Sequence, residues 1–209
     1  MELIFGSQTV QFETMPSVKE IIEKINELMT DQYYFSHLVV DGVEVYEEPE
    51  NYLFERLVTT SRIEVIAKTI REYVNELLLI SKDYIKRAIP ELTVLADGFY
   101  QNATAAEWKN FSEMLEGVQW LNQMTLLINN SKERPLNWDE IINLSAKLKS
   151  ELENLEEAVG NKDNILIADI MQYELLPLYE GLESEIHTTL VTEGYHHDFN
   201  WQSKLFTHT

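Results

Sequence analysis

The stretch Arg62-Ile63-Glu64-Val65-Ile66-Ala67, followed without a break by Lys68-Thr69-Ile70, decides the fold. Up to Ala67 the residues alternate as those of a half-buried strand do. From Ile70 apolar residues recur at three- and four-residue spacing almost to the end of the chain. The change of rhythm predicts an α+β protein of two modules: a small sheet-and-helix domain over residues 1–67 and an up-down antiparallel four-helix bundle over 68–190. A tail over 191–209 follows.

Reading back from the strand, Leu3-Ile4-Phe5 and Thr9-Val10-Gln11-Phe12 flank Gly6-Ser7-Gln8, a hairpin pattern. Ser17 with Glu20 forms a capping box that opens a helix, and Val18, Ile21, Ile22, Ile25, Leu28 and Met29 give that helix one apolar stripe. Tyr33 to Val40 and Val43 to Tyr46 straddle Asp41-Gly42, the pair suited to a type I′ turn. Glu47-Glu48-Pro49-Glu50 then begins a turn-rich segment through Leu57.

This ββαββ order with a last strand resembles the β-grasp, or ubiquitin-like, fold, in which the last strand lies beside the first at the sheet centre. Ubiquitin-like modifiers and sulfur carriers of that fold end in a free Gly-Gly that is activated with ATP. Here the last strand runs into Lys68-Thr69-Ile70 and the chain holds no Gly-Gly, so the resemblance implies docking and not carriage.

Reading forward, a first long helix carries Ile70, Tyr73, Val74, Leu77, Leu78, Tyr84, Ile85 and Ala88, with a kink or break expected at Pro90 and a stop near Asp97-Gly98. Thr104 with Glu107 caps a second helix lined by Trp108, Phe111, Leu115, Val118, Leu121, Met124 and Ile128. Asn137 with Glu140 repeats the capping pattern before Ile141, Leu148, Leu152, Leu155 and Val159, and Gly160 closes this third helix. The fourth begins near Asp163 and turns Ala168, Met171, Leu175, Leu178, Leu182 and Ile186 inward, with Pro177 in its middle. Kinks at Pro90 and Pro177 would fall at similar heights and could open a groove. The stretch Asp169 to Leu178 also resembles sequences of uncharacterised proteins from Gram-positive bacteria.

Composition narrows the function classes. The chain has no cysteine, which excludes disulfides, thiol catalysis and thiolate metal sites. Met1 to Phe12 has no basic stretch leading into an apolar core, and the longest apolar run, Leu77 to Ile80, is too short to cross a bilayer; the expectation is a cytoplasmic protein without membrane partners. Net charge is −20, with 4 basic against 13 acidic residues through Ala67 and 12 against 23 after it. Such a charge repels nucleic acid and favours a basic protein partner.

No catalytic, cofactor or metal motif stands out. Glu193, His196, His197 and Asp198 come nearest to a metal set, but Gly194 interrupts them and no helix carries the Glu-x-x-His pattern of a di-iron bundle. His187 follows Glu183 by four residues, a helical pair, and His37 sits in a strand. Glu174, beside Tyr173 at the border of the fourth apolar stripe, is the polar candidate, as a half-buried base or an ion-pair partner. Tyr195, Phe199, Trp201 and Phe206 are the candidate interaction residues, since aromatics in a tail call for something to bury them: the bundle, a partner or a second copy of the chain. The reading is a non-enzymatic interaction module, adaptor-like or chaperone-like. The alternative is a small-molecule binder or enzyme with a cleft between the modules or between kinked helices.

Overall fold

The alternation ending at Ala67 forms strand β5 (Arg62–Thr69), and both of its edges are occupied. It pairs in parallel with β1 (Glu2–Phe5) and antiparallel with β3 (Tyr33–Val40). With β2 (Gln8–Gln11) beside β1 and β4 (Val43–Val45) beside β3, the sheet order is β2-β1-β5-β3-β4. The structure is a computed structural model and describes residues 1–193. The chain forms two compact units, Met1–Tyr73 and one beginning at Val74.

In the first unit, helix α1 (Val18–Met29) starts where the capping box predicts: Glu20 N donates to Ser17 Oγ at 3.3 Å and Ser17 N donates to Glu20 Oε2 at 2.7 Å. The bond from the Ser17 backbone holds the Glu20 carboxyl below the usual range. Ile21, Ile25 and Met29 of α1 join Leu3, Phe5, Leu38, Val40, Ile63 and Val65 of the sheet in one apolar core. Asp41 (φ 47°) and Gly42 (φ 87°) both take the left-handed conformation of the predicted turn. The Asp41 carboxylate also accepts from the backbone of Arg62 at 2.8 Å, fixing the start of β5.

The segment expected to be turn-rich is instead helix α2 (Pro49–Arg56), followed by a 3-10 turn at Leu57–Thr59. Pro49 presets the first helical turn and Leu53 is wholly buried. Eight residues with one buried apolar side chain are too few to show a period.

The second unit is the expected four-helix bundle. Its rods are α3 (Ile70–Tyr100), α4 (Ala105–Asn129), α5 (Trp138–Gly160) and a fourth made of α6 (Asn164–Asp169), a π turn (Ile170–Leu175) and α7 (Leu176–Thr192). Among the described residues no helix is long and apolar enough to cross a membrane. The expected stop near Gly98 does not occur, and α3 runs through Pro90 to Tyr100. Pro90 and Lys86, whose carbonyl loses its bond, are both exposed, so water can serve that carbonyl and the helix continues. At Pro177 the lost bond is absorbed differently: Leu176 N reaches Met171 O, a five-residue turn just before the proline.

Helix α4 is capped as predicted, with Thr104 N donating to Glu107 Oε2 at 2.7 Å. Helix α5 is not: Asn137 precedes it without capping it. Its Nδ2 donates to the Glu185 carbonyl (3.0 Å) and carboxylate (2.8 Å), and its Oδ1 accepts from Thr189 Oγ1 at 2.5 Å. The side chain has been taken from its own helix to latch onto α7.

Helices α3 and α4 approach closely at Gly117, where an added Cβ would lie 1.6 Å from Tyr84 Oη. Tyr84 also packs on Trp120, with ring centroids 5.3 Å apart. Gly117→Ala is therefore expected to lose about 1–3 kcal/mol in urea unfolding. Combined with Tyr84→Leu, the two losses should be less than additive; additive losses would show that the ring turns aside freely.

Tyr100, at the end of α3, donates to Asp169 Oδ1 at 2.5 Å. That bond, with a smaller effect of burial, pushes the phenol up to about 12. A raised phenol favours the fold fully below the unfolded value of about 10, and this stabilisation is lost as pH rises through about 12. Urea unfolding across that window should show a steeper loss for the wild type than for Tyr100→Phe; parallel curves would refute the coupling.

Candidate functional site

Two concavities in the helical unit bring chemistry-bearing residues together, and the fourth rod explains the first of them. A π turn holds one residue more than an α turn. After it the buried face runs Leu175, Tyr179, Leu182 and Ile186, so Tyr179 takes the place expected for Leu178, which is only partly covered.

Tyr179 lies on the floor of a groove of about 700 Å³ bounded by the Tyr84–Leu95 segment of α3 and the Glu107–Met114 segment of α4. Its side chain is 1% exposed and its hydroxyl has no hydrogen-bond partner. The neighbouring hydroxyl is that of Tyr84, placed to accept from Tyr179: their interaction raises Tyr179 and lowers Tyr84 against the effect of burial, although the contact falls short of ideal hydrogen-bond geometry. Burial, and then the Tyr84 neighbour, hold the Tyr179 phenol far above its ordinary range, so it is a permanent O–H donor. Leaving such a group unpaired costs about 1–3 kcal/mol. The other buried side-chain atom without a partner among the described residues, Asn75 Oδ1, lines neither concavity.

The rim of the groove carries Glu91, Glu107 and Glu113 against Arg87. Glu107 is engaged by Thr104 and Glu113 pairs with exposed Lys109 at 3.0 Å, an ion pair of little net worth. Pro90 lines the groove and Pro177 does not, so the feature sits at one of the two prolines named from the sequence.

The second concavity is a largely apolar cavity of about 210 Å³ lined by α3, α4, α5 and α7 and open to solvent on one side. Leu78, Ile85, Val118, Leu121, Ile141 and Leu182 supply much of its wall. Ser81, Thr125 and Ser145 add hydroxyls, the last two 3.5 Å apart.

The residues singled out from the sequence lie elsewhere. Glu174 and Tyr173 are exposed on the π turn and belong to neither concavity, so the expected half-buried carboxylate is not formed. His187 meets Lys82, with Nζ 2.9 Å from Nδ1, instead of pairing with Glu183. Glu193 accepts from Leu136 N at 2.7 Å. His37 is buried in β3 and stacked on Tyr46 at 4.3 Å, a structural placement. Among the described residues no three His, Asp or Glu side chains come together as metal ligands. Tyr195, Phe199, Trp201 and Phe206, with His196, His197 and Asp198, lie outside the described residues.

Tyr179 and Gly117 were missed as site residues. The signal that could have found Tyr179 was Pro177, since a proline inside a helix forces a local change of phase.

No curated protein and no solved structure matches the chain. A family model described as a domain of unknown function, DUF8042, matches residues 76–185. That stretch is just over half of the 209 residues and contains the whole lining of the groove and all of the cavity lining but Ile186. The chain belongs to the DUF8042 family.

Proposed function

We propose that the protein is a non-enzymatic cytosolic interaction module, adaptor-like or chaperone-like, whose helical unit receives a basic peptide segment of a partner protein in the groove over Tyr179. The observation that carries this reading is the rim of carboxylates, Glu91, Glu107 and Glu113, along an open groove. An extended basic segment supplies what the rim needs: ammonium or guanidinium groups replace the weak Lys109 pair on Glu113 and neutralise Glu91. The net charge of −20 steers such a segment inward and repels phosphate backbones and anionic lipid. For the first unit, the strand order with its parallel central pair supports the β-grasp resemblance and a docking role.

The test is fluorescence anisotropy of a labelled Lys- and Arg-rich peptide with the full chain at low and moderate salt. Binding is expected and should weaken as salt rises. Glu91→Gln with Glu113→Gln should weaken it about tenfold and flatten the salt dependence. Equal binding of an acidic peptide, or unaltered affinity in that double variant, would sink the proposal.

A further inference from the structure

We infer that the apolar cavity inside the bundle is a second, independent binding site, for a small amphipathic carboxylate. Its inner wall is mostly aliphatic side chains from α3, α4, α5 and α7, with Met124 and buried Trp138, and its polar lining is limited to Ser81, Gln119, Asn122, Thr125, Ser145 and Lys149. An engineered apolar cavity of about 150 Å³ takes up benzene. A space of about 210 Å³ therefore admits a somewhat larger apolar body, such as a medium-length alkyl chain.

The way in and the polar end of the ligand are both legible. Gln119 and Asn122 on α4 and Lys149 on α5 are the exposed members of the lining, which places the opening between these two helices. Lys149 is the one charged lining residue, and it is a cation in a chain with 36 acidic and 16 basic residues. Among the described residues it forms no ion pair. An ammonium flanked by two amide side chains, each with N–H donors, is a receptor for a carboxylate head. Thr125 and Ser145 also line the cavity, with the Thr125 hydroxyl donating to the Leu121 carbonyl at 2.9 Å.

Calorimetric titration of the full chain with hexanoate, octanoate and decanoate, and with octanol and octylamine, tests the assignment. Octanoate should bind, one of the three chain lengths should bind best, and octylamine should be about tenfold weaker than octanoate. Lys149→Met, at an exposed position that leaves the fold intact, should erase the preference for carboxylate over amine while octanol still binds. Ser145→Leu should fill the space, raise the melting temperature and abolish uptake. Absence of heat with every amphiphile from protein that melts cooperatively would overturn the inference, as would an unchanged carboxylate preference in Lys149→Met. Peptide binding at the Tyr179 groove should be unaltered by either substitution.

Discussion

A helix that contains a proline must do without one backbone bond and must move the carbonyl one turn earlier out of the ring's way. In the fourth rod this constraint fixes much else. The five-residue turn that ends at Leu175 makes room for Pro177, and Tyr179 follows it in the interior. With Tyr179 inside, Tyr84 stands against Gly117, and the floor of the groove is set. Pro90 faces the same requirement at an exposed point of α3 and alters nothing beyond its own turn. Burial does not separate the two, since Pro177 and Tyr173 are exposed as Pro90 and Lys86 are; the difference is the π turn that precedes Pro177.

The two concavities differ in chemistry in a way that follows from where they lie. The groove opens along α3 and α4, so its rim can hold carboxylates in water while its floor holds a phenol that water does not reach. The cavity lies where four apolar stripes meet, and its hydroxyls are few, with Thr125 bonded to the Leu121 carbonyl and facing Ser145. Both fall in the stretch that defines the family, whereas the sheet unit precedes it.

How much of this could be read from the chain depended on the range of the interaction involved. The Ser17–Glu20 and Thr104–Glu107 boxes and the Asp41-Gly42 turn are decided within a few residues, and each formed as its residues indicate. The β5-to-helix junction was legible because periods of two and 3.6 are distinct over a handful of positions. Asn137 has the composition of a cap yet bonds with Glu185 and Thr189, partners 48 and 52 residues away. His187 likewise prefers Lys82, 105 residues distant, over a neighbour on its own helix. The groove was legible only as a consequence of two prolines; its phenols and its carboxylates come from three rods whose relative rotation no local pattern specifies.

The Asn137 latch has a consequence for how the bundle chooses its alignment. Ile141, Leu148 and Leu155 are all buried on α5 and repeat every seven residues, so a slide of α5 along α7 by one heptad would again set aliphatic side chains against aliphatic side chains. Dispersion and apolar burial alone distinguish the two arrangements poorly. Seven residues on from Asn137 stands Leu144, which can neither donate to the Glu185 carbonyl nor accept from Thr189. A slid bundle would lose all three bonds of the Asn137 amide and leave Thr189 only the Glu185 carbonyl of its own helix, so one polar amide acts as the vernier mark that selects a single alignment from several of similar greasiness.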